Sequence, residues 1–202
     1  MKTLFKQLSF LLISILSLSA CESKTEETNA DTISGLSIQK QTEYIKKGKM
    51  IAKESFYALG KQLKGAMKSG GVQKAVSYCN VKAIPMIDSL SRVHNALIKR
   101  TTLKTRNALD APDELETKLL KSYQKAKKNG ETLKPKLTED APYILFTAPI
   151  VINPLCLKCH GTIGTEIAES DYKTIAELYP NDKATAYKIG ELRGMWSIRF
   201  IE

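Results

Sequence analysis

Cys156, Cys159 and His160 fall within five residues, in the stretch CLKCHG, although the whole chain has only four cysteines and two histidines. From such a composition a C-x-x-C-H would arise by chance in roughly one chain in a thousand, so the spacing asks for a chemical reason. Two thiols three residues apart can add across the two vinyl groups of a porphyrin. A histidine directly after the second is then delivered to the iron as an axial ligand. The motif predicts one covalent c-type haem, held by Cys156, Cys159 and His160. Zinc would ask for four protein ligands and usually a second paired cluster, which this sequence lacks. A thioredoxin-like dithiol would open a helix inside a βαβ unit, and none surrounds position 156. A disulfide across the short loop is the structural alternative.

The start of the chain bears on where such a cofactor is attached. Residues 1–20 carry Lys2 and Lys6 and then the apolar run LSFLLISILSLSA, too short to span a bilayer and laid out as an export signal. The run ends LSAC, the pattern of a bacterial lipobox, in which Cys21 becomes the acylated first residue of the mature protein. An ordinary small-residue cleavage site beside an idle cysteine is the alternative. Several acyl chains hold a protein stably at a membrane surface, where one does so marginally. The expected location is the bacterial cell envelope, lipid-anchored through Cys21 and facing the periplasm. Glu22, rather than Asp, after the cysteine points to the outer membrane. Export agrees with the haem reading, because bacteria join haem to such motifs outside the cytoplasm.

From Glu22 to about Gly35 the sequence is polar and aperiodic, a tether reaching roughly 20 Å by random-coil scaling. The chain therefore divides into a leader (1–20), a tether (21–38) and a haem-binding domain (39–202). The formal charge of +10 loses two with Lys2 and Lys6, leaving +8 on a mature chain long enough for one domain with a real core. With export and no basic stripe interleaved with aromatics, nucleic acid is not an expected partner. Haem propionates, anionic lipid or an acidic redox protein are better counter-charges.

The elements that must position the motif follow from periodicity. From about Ser37 to Ser69, Tyr44, Ile51, Phe56, Leu59, Leu63 and Met67 recur at helical steps until Gly70 and Gly71. Val72, Val76, Cys79, Ala83, Met86 or Ile87, and Leu90 carry a second helix, with Pro85 expected to bend it or mark its end. Asn95–Thr101 reads as a strand. The segment around DAPDELETKLLKSYQKAKKNG reads as a helix, with Pro112 near its first turn, acids at its start, lysines at its end and Gly130 closing it. YILFTAPIV reads as a strand running into the motif, SDYKTIAELYP as a helix, and GMWSIRFIE as an alternating terminal strand. Helices first and strands later describe an α+β domain with an antiparallel sheet. No internal repeat and no second haem motif occur.

The strings YCNVKAIPMI, RTTLKTRNALDAPDELE, CLKCHG and YPNDKATAYKIGELRGMWSI together resemble the family of single-haem c-type proteins with a PAS-like fold, long catalogued as a domain of unknown function. The resemblance spans about Glu43 to Ile198 and departs at Thr102 and Ala108, where Ser and Pro are expected. It implies a PAS-like antiparallel sheet with long N-terminal helices, and haem held between the helical half and the sheet. It also implies His160 on one side of the iron and Cys79 as the second axial ligand.

From the residues alone the second ligand stays open. Cys79 is the cysteine left once Cys21, Cys156 and Cys159 are used, yet a free cysteine on an apolar face is also ordinary core. His94 is the other imidazole and sits in the polar turn SRVHNAL. Met195, Met67 and Met86 offer thioethers or simple core filling. Arg100, Lys104 and Arg106 could pair with propionates or form a solvated basic turn. The functional expectation is an envelope-anchored monohaem c-type cytochrome acting as a haem-based redox or gas sensor, signalling through a protein partner and taking a small gas as ligand. The alternative is a plain periplasmic electron carrier. An enzyme is not expected, since peroxidase-like chemistry wants a positioned acid or base and only His94 is available as a histidine.

Overall fold

The computed structural model describes residues 33 and 35–201. The leader, Cys21 and nearly all of the tether lie outside the described residues. The first element is a helical segment, α1 (Ile38–His94), begun by Ser37, whose side chain accepts the Lys40 amide hydrogen bond. A continuous helix of this length would run about 85 Å at 1.5 Å per residue. Instead Gly70 and Gly71 leave helical geometry, Gly71 at a φ of +67° that favours glycine. His94 comes within 3.0 Å of Glu54, forty residues earlier. The segment is thus two arms folded back on each other, 38–69 and 72–94, as the glycine pair predicts.

Pro85 lies inside the second arm, which runs on to His94, so it does not mark the helix end. The carbonyl that loses its partner is that of Val81, a residue 61% exposed, where solvent can replace the missing bond. Ala83 and Ile87, buried on either side of the proline, hold the arm against the core.

After the hairpin come β1 (Ala96–Thr101), a short 3-10 turn (Ala108–Asp110), α2 (Glu114–Lys128), β2 (Lys136–Asp140), β3 (Tyr143–Val151), α3 (Pro154–His160), α4 (Glu169–Leu178) and β4 (Leu192–Phe200). The strands form one antiparallel sheet in the order β1-β4-β3-β2, so the last strand is central. The period of two along β4 divides the sheet's faces. Trp196, Ile198 and Phe200 join Phe146 and Ile98 against Ile51, Ala52 and Ile87 of the hairpin. Met195 points the other way, onto Leu120 and Tyr123 of α2. The close approach of arm to sheet needs Gly48, because a Cβ there would sit 2.3 Å from the Phe146 ring.

α2 begins with a capping box: Asp113 accepts from the Glu116 amide while Glu116 accepts from the Asp113 amide. Pro112 directly precedes that cap, near the first turn as expected. Glu116 is fully buried, and Lys99 at 3.0 Å and Arg199 at 3.2 Å balance its charge. Arg199 also bonds Asp113 and Asp140, tying α2 to the sheet. No helix of the described residues is long and apolar enough to cross a membrane.

Candidate functional site

The motif sits on α3, a seven-residue helix directly after β3. Asn153 caps it, accepting from the amides of Leu155 at 2.9 Å and Cys156 at 3.3 Å, and Pro154 occupies its first turn. Residues three and four apart share a helix face, so Cys156, Cys159 and His160 present their side chains together. The helix closes at Gly161, which has no room for a side chain: a Cβ would lie 2.6 Å from Glu166 Cβ and 2.8 Å from the Leu157 carbonyl. Cys79, Cys156 and Cys159 are all free thiols.

His160 is held from behind by the segment 182–187. Its Nδ1 stands 2.7 Å from the Ala184 carbonyl. A carbonyl can only accept, so Nδ1 carries the proton and Nε2 keeps its lone pair free for a metal, the arrangement typical of ligating histidines. Tyr187 N–H donates to the His160 carbonyl at 2.9 Å, and Ala186 N–H to that of Gly161 at 2.8 Å. Ala186 adopts φ +58°, uncommon for a residue with a Cβ, which these bonds hold in place. The Tyr187 ring meets the imidazole edge-on at 6.3 Å. Burial, and then Arg193 and Arg106, push the His160 pKa well below its ordinary value, so the ring is neutral.

These residues open into a cavity of about 740 Å³, within the range of cofactor sites. Its walls come from both arms of the hairpin (Phe56, Leu59, Leu63, Met67, Val76, Cys79), from α3 (Cys156, Cys159, His160), and from the sheet and its loops (Arg100, Arg106, Arg193, Trp196). Cys79, assigned by resemblance, therefore shares one cavity with the motif. Burial pushes the Cys79 thiol up, opposed by Arg100 and Arg106. Burial likewise raises Cys159, to about 11.

The rival ligands separate. His94 is outside the cavity lining, at the end of the hairpin beside Glu54. Met195 is fully buried under α2, Met86 is not part of the lining, and Met67 alone of the three lines the cavity. Of the basic residues, Arg100 and Arg106 line it, whereas Lys104 turns to the Thr185 carbonyl at 2.7 Å and the Tyr187 ring. Arg193 was missed by sequence reasoning: strict alternation along LRGMW would put it on the face of Met195, and the irregularity in the β3–β4 register at Ile150/Val151 lets it line the cavity with Trp196 instead. It donates to Thr102 Oγ1 at 2.9 Å and to the Lys104 carbonyl at 3.1 Å.

The donor set fits a haem better than a bare ion. Among the described residues no three His, Cys, Asp or Glu side chains converge to hold a metal by themselves. What the cavity offers is a largely apolar enclosure with paired thiols, one oriented imidazole and three arginines. Arg106 adds an observation of its own: its Nε is buried with no acceptor among the described residues.

A family model described as Tll0287-like matches residues 22–200. Among solved structures, the crystal structure of the cyanobacterial heme-protein Tll0287 superposes with a TM-score of 0.58 at 19% identity, covering 83% of this chain and 98% of that one. At that identity the likeness establishes the fold. No curated protein matches the chain.

Proposed function

The chain belongs to the Tll0287-like family, and from that premise we propose that it is a monohaem c-type cytochrome, anchored in the bacterial envelope, that senses redox state or a small gas. The observation that carries the reading is the cavity in which Cys156 and Cys159 stand beside His160, with the imidazole already oriented through Ala184. The similarity in fold to a cyanobacterial heme-protein supports the same cofactor here. Cys156 and Cys159 would hold it covalently, His160 would ligate through Nε2, and Cys79 would be the second ligand. Bound there, haem c supplies reversible one-electron chemistry at iron.

The chain's own residues set the character of that chemistry. As a ligating thiolate Cys79 would favour ferric iron and a low potential, where a methionine would raise it. The apolar side chains of the hairpin that line the cavity would limit water around a bound cofactor. The PAS-like arrangement of sheet and helices, with the last strand central, is the form in which we read this fold as a sensor module. The leader and lipobox of residues 1–21 support anchoring through Cys21, and a protein partner would receive the signal. No catalytic acid or base is assigned.

The test is direct. Full-length protein matured in a host competent for c-type haem attachment should gain the mass of one haem and lose it on Cys156→Ala/Cys159→Ala. Cys79→Ala should retain that mass but change the ferric optical and EPR spectra; unchanged spectra would remove Cys79 from the iron. Spectra showing iron six-coordinate both before and after dithionite would favour an electron carrier over a sensor.

A further inference from the structure

Arg106 has more to do than balance charge. Its Nη2 donates to the Cys159 carbonyl at 2.6 Å, to Asp182 Oδ2 at 3.0 Å and to the Ala184 carbonyl at 3.4 Å. That last oxygen is the one His160 Nδ1 bonds. Asp182 Oδ1 in turn accepts from the Ala184 amide at 2.8 Å. One guanidinium and one carboxylate, with side chains only 10% and 2% exposed, thus clamp both polar groups that flank Ala184.

The clamp leaves part of the guanidinium unused. Its buried Nε finds no acceptor among the described residues, although a buried donor on a charged group is normally satisfied. Arg106 lines the cavity together with Arg100 and Arg193, and neither of these has a carboxylate within ion-pair distance among the described residues. Asp110 is the acid whose electrostatic field they share, and burial raises its pKa against their pull. This end of the cavity carries surplus positive charge and an open donor, the recognition chemistry of a carboxylate.

We propose that Arg106 is a positioning residue for His160 and that its remaining donor edge seats a carboxylate of the cofactor, an inference that rests on the haem reading above. Through Ala184 it fixes the imidazole's direction. A carbonyl accepting from His160 makes the ring a stronger electron donor. A cation on the same carbonyl withdraws part of that effect, and its charge also opposes loss of an electron from the cavity. Both act in one direction, toward the reduced state. Neutralising Arg106 therefore lowers the potential.

The experiment compares matured full-length wild type with Arg106→Gln and Arg106→Lys by intact mass, thermal melting and spectroelectrochemical titration. Arg106→Gln should move the ferric to ferrous equilibrium about tenfold toward ferric, which for one electron is about 59 mV. Arg106→Lys keeps the charge without the fork and should fall between the two; it carries the test if the Gln variant does not fold. Loss of melting temperature with unchanged potential in both variants would mean a merely structural clamp and would overturn the proposal. Wild type lacking added mass would instead overturn the cofactor reading itself.

Discussion

Asn153 is the residue on which the order of the motif turns. α3 has only seven residues, and a helix so short does not form by propensity, because nucleation is costly and few bonds repay it. Asn153 satisfies two of the amides that a helix start leaves without partners, those of Leu155 and Cys156. Replacing such a cap by alanine costs about 0.5–2 kcal/mol. The Cys156 amide keeps the Asn153 backbone carbonyl at 3.0 Å, so only the Leu155 amide loses its partner and the middle of that range applies, about 1 kcal/mol, or a factor of about 5 in the open population of the motif helix. In Asn153→Ala without cofactor, hydrogen exchange at the amides of Cys159, His160 and Gly161 should speed up by that factor. The β4 amides should be unchanged, because only the local opening becomes easier. Asn153→Asp or Asn153→Ser restores the cap and should restore protection. In the matured protein the yield of covalent attachment should fall in the same order. If α3 protection in Asn153→Ala equals that of wild type, the helix is held by its packing on Ala184 and Tyr187, and the capping argument is wrong.

The α2 charge network gives two further outcomes. Arg199→Met leaves Glu116, fully buried, with Lys99 as its remaining cation and should destabilise by about 3 kcal/mol, the lower end of the cost of breaking a buried pair. Adding Glu116→Gln should recover most of that loss in urea unfolding, and a double variant no more stable than Arg199→Met would refute the electrostatic account. Burial alone would raise the Asp113 pKa, but the bonds from the Glu116 amide and Arg199 outweigh it and hold the carboxyl below its usual value. A depressed folded pKa means the contribution is complete above the unfolded value of about 4 and disappears as pH falls through the folded one. The stability gap between wild type and Asp113→Asn should accordingly stay constant from pH 7 down to about 4 and narrow below it. A gap unchanged into acid would show that the carboxylate charge plays no part.

The elements that sequence pattern located share strong local signals. YILFTAPIV is β3 to the residue, and the Gly70-Gly71 pair separates the two arms. The acids and lysines of α2 sit at the ends its dipole favours. β2 was missed because KLTED has only Leu137 buried and three charged residues; its pairing with β3 makes it a strand, which is tertiary information. Pro85 does not end the arm, because the bond it removes falls at Val81, which is exposed to water. Phe56, one of the residues that carry the helical period, is half exposed along the cavity, since apolar periodicity does not distinguish a face that meets a sheet from one that lines a pocket. Of the site, the C-x-x-C-H motif was plain in five residues, and Cys79 rested on resemblance. Arg193 and the 182–187 segment were invisible because their roles are built from contacts across the chain, the farthest linking positions 102 and 193.

The two candidate ligands differ in how they are held, and that difference bears on which side of the cavity can respond. His160 is fixed by backbone groups on both sides: Ala184 takes its ring, Tyr187 bonds its carbonyl, and Arg106 grips the Cys159 carbonyl next to it. Changing its position means breaking several short hydrogen bonds at once. Cys79 rides on the second arm of the hairpin, which meets α4 through apolar contact of Val72 and Val76 with Ile167, Ile175 and Tyr179 and through Asn80 Nδ2 to the Leu178 carbonyl at 3.3 Å. Apolar contacts are non-directional, so an arm resting on them can slide by a fraction of a turn at less cost than a ring held by a set of oriented bonds. Gly70 and Gly71 sit at the turn of that hairpin, where backbone freedom is greatest. A change in bonding at iron is therefore expected to register on the Cys79 arm and α4, with the His160 wall serving as the fixed reference. Hydrogen exchange in the two oxidation states would show the difference confined to 72–94 and 169–178 if this is right, and spread through 182–187 if it is not.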